Sequence, residues 1–168
     1  MSHASSTPPR LSACPALSRI VAARDGGLCR VKLPCGELRA DQAFAVADAA
    51  QAHASGIIEL TNRANLQLRG VRSSEASALV ERLLRARLGP QLGNAVENGD
   101  TSRQPAVRQR IAAADDVRNL MTNPSAGRDA YASYDTRPLA RDILNMLQRE
   151  PRFAALSPKF ALLLDGGE

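Results

Sequence analysis

Apolar and basic side chains alternate over residues 28–33. Cys29, Val31 and Leu33 fall on one side and Arg30 and Lys32 on the other, the period of a half-buried strand. Pro34-Cys35-Gly36 then predicts a turn. Asp41 is the expected N-cap of a helix over 41–54, with Phe44, Ala47, Ala50 and Ala54 as its core face and Gly56 beyond its end. Residues 57–60 are β-rich. Ser73 or Ser74 is placed to cap a second helix, whose Ala76, Leu79, Val80, Leu83, Leu84 and Leu88 form an amphipathic stripe that Gly89-Pro90 ends.

Between these two helices runs Thr61-Asn62-Arg63-Ala64-Asn65-Leu66-Gln67-Leu68-Arg69-Gly70. Read as one extended strand, it places Thr61, Arg63, Asn65, Gln67 and Arg69 on one face and Ala64, Leu66 and Leu68 on the other. The ordinary meaning of such a polar face is the wet side of an antiparallel sheet. Its two guanidiniums also suit fork-shaped binding of carboxylates or other oxyanions. Short alternating strands and helices predict an α+β fold, a sheet with helices on one face. The polar side is then left without cover from its own domain.

Residues 1–24 read as a flexible lead-in, and 93–106 as a polar linker with little apolar periodicity. Beyond it, Asn123-Pro124-Ser125-Ala126-Gly127 predicts a turn, and 138–148 a helix with Leu139, Ile143, Met146 and Leu147 inward. The chain closes on the apolar run 161–164 followed by Asp165-Gly166-Gly167-Glu168. A strand in that position needs a neighbour for its backbone groups. The expectation is the front portion of a longer or a split polypeptide.

Composition narrows the function classes. With 44% hydrophobic residues, 3% aromatics and no Trp, the core has to be built from Ala, Leu and Val. The formal charge is +5, carried by arginine, since Lys32 and Lys159 are the only lysines. These arginines are dispersed among acids, without a basic run, interleaved aromatics or zinc-finger spacing, so nucleic-acid binding is unsupported. No apolar stretch reaches membrane-spanning length, and no hydrophobic signal core follows Met1, so the chain reads as cytoplasmic with no membrane partner. Cys14, Cys29 and Cys35 are an odd set with no metal-binding spacing.

Four separated pieces, in order, carry a resemblance: Leu33-Pro34-Cys35-Gly36, the string 61–70, Val117-Arg118-Asn119 leading to Asn123-Pro124-Ser125-Ala126-Gly127, and Ser157-Pro158-Lys159-Phe160. Together they resemble the nitrite and sulfite reductase family over residues 14–168. The resemblance implies a ferredoxin-like half-domain over 25–92. Residues 107–168 would then begin, and not complete, a domain that binds a tetrapyrrole and an iron–sulfur cluster. The reductases usually begin the strand motif with Thr-Thr-Arg-Gln and carry Lys-Phe-Lys near the last piece. Thr61-Asn62-Arg63-Ala64 and Lys159-Phe160-Ala161 depart from both, and with Cys14-Pro15 they resemble the cobalamin-pathway branch, the precorrin-3B synthases.

By that resemblance Arg63, Asn65, Gln67, Arg69, Arg118, Asn119 and Lys159 bind a polycarboxylate tetrapyrrole of the precorrin type. The complete enzyme would be an oxygen-dependent oxidoreductase that hydroxylates precorrin-3A and closes a lactone. The alternatives are a fragment of a sirohaem-dependent sulfite or nitrite reductase, and a non-catalytic tetrapyrrole-binding or remnant module. A [4Fe–4S] cluster is implied for the complete protein. It needs four thiolates, and this chain has three cysteines, all before residue 36, so a complementary C-terminal half is the implied partner. No catalytic residue and no metal ligand is assigned within the chain.

Overall fold

The computed structural model describes residues 14–92 and 105–167; residues 1–13 of the expected lead-in and 93–104 of the expected linker lie outside them. The first part is a four-stranded antiparallel sheet in the order β1-β2-β4-β3, made of β1 (Val21–Ala23), β2 (Gly26–Val31), β3 (Ile58–Leu60) and β4 (Leu66–Val71). Helices α1 (Ala40–His53) and α2 (Ala76–Arg85) cover one face. The α+β expectation and the ferredoxin-like order of elements hold. Between the sheet and these helices Cys29, Val31, Leu68, Ala49, Ala50, Leu79 and Leu83 have essentially no exposed surface. Small and branched side chains thus replace the missing rings, and α1 contributes Val46, Ala49 and Ala50 to this core.

That core face corrects the expectation for α1. Ala50 and Ala54 are buried as expected, together with Gln42, Val46 and Ala49, whereas Phe44 is 73% exposed. Asp41 lies inside the first turn rather than at the N-cap, which is Arg39. A carboxylate is favoured in that turn by the helix dipole. The stripe of α2 faces the core as expected, but the helix ends at Arg85, before Leu88 and Gly89-Pro90, and no serine hydroxyl caps it; Ser73–Glu75 forms a 3-10 turn instead.

The string 61–70 is not one strand. Ala64 donates its N–H to Thr61 O (3.1 Å), Thr61 N–H is bonded to Asn65 O (2.9 Å), and Ala64 is left-handed at φ +53°. Residues 61–65 are the hairpin turn that joins β3 to β4, and only Leu66–Val71 is strand. A bulge opposite Gly27–Cys29 puts two residues of β4, Arg69 and Gly70, against one of β2. Gly70 adopts φ +66° there, where a side chain would also meet Ser55, and the shift turns Val71 inward beside Leu68.

The second part comprises α3 (Pro105–Asp116), β5 (Leu120–Thr122), α4 (Arg137–Arg149) and β6 (Leu162–Leu164). The terminal strand has its neighbour within the chain: β6 pairs in parallel with β5, Leu120 opposite Leu162 and Thr122 opposite Leu164. On α4 the inward face is Ala140, Leu147 and Gln148, while Leu139 and Met146 are 42% and 46% exposed, a rotation from the face expected.

The two parts interlock through buried polar groups. Leu17 N–H donates to Asp115 Oδ2 (3.1 Å), Lys32 Nζ to Asp116 O (2.9 Å), and Arg19 bridges to Asp116 (2.6 Å). Ala16 and Leu17 are fully buried, so the segment expected as a lead-in to residue 24 is built into the fold from there. Among the described residues no helix is long and apolar enough to cross a membrane.

Candidate functional site, an arginine-lined cleft

The outer face of the sheet is polar, as read from the sequence, but its groups satisfy one another. Arg69 grips Asp25 with two parallel bonds (Nε to Oδ2 2.8 Å, Nη2 to Oδ1 3.0 Å) and reaches Glu59 at 3.3 Å. Gln67 accepts from Arg30 (3.1 Å) and donates to Glu59 (3.1 Å). The hydrogen bond from Arg69 holds the Asp25 carboxyl below the usual range, and Asp25 in return raises the guanidinium. A ligand carboxylate at Arg69 therefore has to displace one already in place.

The other expected site residues are dispersed. Asn65 is buried and accepts Leu33 N–H through Oδ1 (2.9 Å), fixing the hairpin turn to the end of β2. Asn119 is buried and donates from Nδ2 to Pro158 O and Phe160 O (3.0 Å each), tying the Ser157–Phe160 piece to the start of β5. Arg118 is 4% exposed and donates from Nη2 to Lys32 O (2.7 Å) and Leu88 O (3.0 Å), with Nε 3.4 Å from Asp115 Oδ1. Burial lowers its affinity for a proton and Asp115 opposes that change. Arg63 lies on the hairpin turn and Lys159 on the surface; neither side chain has a hydrogen bond or ion pair among the described residues.

A cleft of about 1110 Å³ opens between the two parts. Its walls are the Leu33–Leu38 turn and the start of α1, residues 87–91 after α2, the loop that follows β5, and one side of α4. Lys32, Arg39, Arg87, Arg118, Arg128, Arg137 and Arg141 line it, and Glu37 is the one carboxylate residue among the lining residues. Such an excess concentrates anions, and the volume is just above the usual range of small-molecule sites.

The fold arranges these cations individually. Arg137 and Arg141, one helical turn apart, project from the same side of α4. Gly127, at φ +68°, leaves the space that Arg137 occupies, since a Cβ there would overlap its guanidinium. Asn123 Oδ1 accepts Ser125 N–H (3.0 Å) and Oγ–H (2.8 Å), shaping the turn that carries Arg128. Asp135 binds Arg137 in a fork (2.9 and 2.8 Å) and Asp41 binds Arg39 likewise (3.0 and 2.8 Å). The hydrogen bond from Arg137 brings Asp135 to about 2, so this pair stays ionised down to strongly acidic solution. Arg87, Arg128 and Arg141 have no carboxylate partner among the described residues.

Of the residues expected from the sequence, Arg118 alone lines this cleft, at its buried floor, and Ala64 lines it next to Arg63. Arg39, Arg87, Arg128, Arg137 and Arg141 were not expected. They come from separate segments with no shared motif, and the one local signal is the Arg137–Arg141 spacing.

The cysteines do not fit a cluster. Cys29 is buried with Sγ 3.6 Å from Leu17 O, and burial raises its thiol far above the usual range. Cys35 is raised by burial as well. No group of three or more metal-ligating side chains exists among the described residues, and residues 113–168 contain no cysteine.

Comparison with known proteins agrees with this architecture. Residues 21–86 match the nitrite/sulfite reductase ferredoxin-like half domain, and residues 113–168 the nitrite and sulphite reductase 4Fe-4S domain. The chain is similar to precorrin-3B synthase of Sinorhizobium sp, 31% identical over 94% of this chain and 29% of that protein. It is also similar to ferredoxin–nitrite reductase of Synechococcus elongatus, 32% identical over 83% of this chain and 25% of that protein. The chloroplastic ferredoxin–nitrite reductase of Zea mays is 32% identical over 82% of this chain and 22% of its own. The chain thus spans less than a third of the length of these curated relatives. No solved structure matches it. Two successive domain models of one family, on either side of the cleft, place this chain in the nitrite and sulfite reductase family.

Proposed function

We propose that this chain is the N-terminal portion of a precorrin-3B synthase-like oxidoreductase of the cytoplasm, and that its cleft holds the carboxylates of a tetrapyrrole substrate. The observation that carries this reading is the concentration of seven cationic side chains against one carboxylate residue between the two matched regions. A precorrin presents several carboxylates around one ring, and guanidiniums from separate rigid elements fix such a ring in one orientation. Arg128 and Arg141 receive carboxylates directly. Arg39 and Arg137 enter by exchanging Asp41 and Asp135 for the ligand. Arg63, beside the cleft-lining Ala64, extends the cationic wall, and Lys159 is a further cation free to engage substrate. Hydroxylation and lactone closure on precorrin-3A belong to the complete protein, and its cluster ligands to a complementary half.

The nitrite reductase matches support a second reading, the corresponding portion of a sirohaem-dependent reductase. One reconstitution separates the two. The purified chain is mixed with a downstream half that bears four cluster cysteines, and visible absorption, tetrapyrrole binding and nitrite consumption are followed. The first reading predicts iron–sulfur absorption and precorrin binding without nitrite reduction. Nitrite reduction after sirohaem loading supports the second reading instead, and the absence of both absorption and tetrapyrrole binding contradicts both.

A further inference from the structure

Three non-glycine residues among the described ones have positive φ: Cys35 (+61°), Ala64 (+53°) and Arg87 (+57°). All three line the cleft. They come from three different turns, the one after β2, the β3–β4 hairpin and the end of α2. Left-handed backbone is unfavourable for residues with a Cβ and gathers where surrounding structure enforces it for function.

Arg87 is the most informative of the three. It occupies the position after the cap of α2, where the chain reverses: Arg87 N–H donates to Leu84 O (2.9 Å) and Leu88 N–H to Leu83 O (3.1 Å). This pair of bonds is the Schellman ending, whose left-handed residue is usually glycine. The turn is held from both sides. Gln42 Nε2 donates to Ala86 O and Arg87 O (3.2 Å each), and Arg118 donates to Leu88 O (3.0 Å). The strained backbone is thereby well determined, while the Arg87 side chain is exposed and makes no hydrogen bond or ion pair among the described residues. Among the described residues nothing in the fold uses its guanidinium.

We infer that Arg87 is a ligand anchor, a guanidinium kept at a glycine position so that it faces the cleft and takes a carboxylate of the bound polyanion. The inference rests on the reading of the cleft as a polycarboxylate site and adds a residue and a cost in stability to it. Two variants separate the backbone from the side chain. Arg87→Gly removes the guanidinium and relieves the left-handed strain; Arg87→Ala removes the guanidinium and keeps the strain. Each is titrated with uroporphyrin, a porphyrin polycarboxylate, by fluorescence at low ionic strength, and melted by circular dichroism. Both variants bind about tenfold more weakly than the parent, the scale of one charge-assisted hydrogen bond. Only Arg87→Gly melts higher, by about 2–4 °C.

If the parent binds and neither variant is weakened, Arg87 is no anchor and the cleft reading stands. If Arg87→Gly melts lower than the parent, the guanidinium serves the fold and the inference is overturned. If the parent itself does not bind uroporphyrin, the cleft reading falls and the anchor role with it.

Discussion

Replacing Arg118 by alanine is expected to destabilise the chain by about 3–5 kcal/mol, the range for removing one partner of a buried ion pair. Arg118 is the cross-brace between the two parts. Its Nη2 donates to two carbonyls of the first part, Lys32 O and Leu88 O, and its Nε faces Asp115. Asp115 is fully buried and also accepts Leu17 N–H. Removing the guanidinium leaves a buried carboxylate without its cation and two carbonyls without a donor. Urea denaturation followed by far-ultraviolet circular dichroism is expected to show a lower midpoint and a broadened transition. Arg118→Met together with Asp115→Leu removes both charges and recovers part of the loss, the charge term, while Leu17 N–H and the two carbonyls stay unpaired. A single variant as stable as the parent would show that the brace contributes nothing.

Charge reversal at Arg128 and Arg141 has the opposite signature. Both are exposed, and neither pairs with a carboxylate among the described residues, so Arg128→Glu with Arg141→Glu leaves the melting temperature nearly unchanged. Uroporphyrin binding falls by about a hundredfold, since two attractions across a partly screened cleft become repulsions. The difference shrinks as salt is raised to 1 M, where the screening length is about 3 Å. Equal affinity of parent and variant at low salt would remove these two residues from the site.

The contrast between Arg118 and this pair shows what the sequence could and could not convey. The alternation in β2, the stripe of α2 and the order of four short motifs were legible because each is a local pattern with a local cause. The turn at residues 61–65 was not. Polar residues alternate in it as they do in a strand, and its left-handed residue is Ala64, where a glycine would have marked a turn. Phe44 misled for a related reason: the core face of α1 is made of the smaller Val46, Ala49 and Ala50, so its largest apolar side chain is not on that face. Arg69 was correctly placed on the outer face of the sheet, but Asp25 and Glu59, distant in sequence, already occupy it. The cleft cations were invisible because residues 39, 87, 128, 137 and 141 converge only once the two parts are locked together. Arg87 was hidden in particular, because Leu88 and Gly89-Pro90 read as the end of α2 and the reversal falls before them, at a residue that is not glycine.

The proposed site requires that polyanions enter the cleft and do not lie on the polar sheet face. Arginine modification by phenylglyoxal, read by peptide mass spectrometry with and without saturating uroporphyrin, tests where the ligand sits. Protection of Arg87, Arg128 and Arg141 is expected, with Arg110 on the exposed side of α3 modified equally in both samples. Protection of Arg30 and Arg69 on the sheet face, with the cleft arginines still reactive, would contradict it.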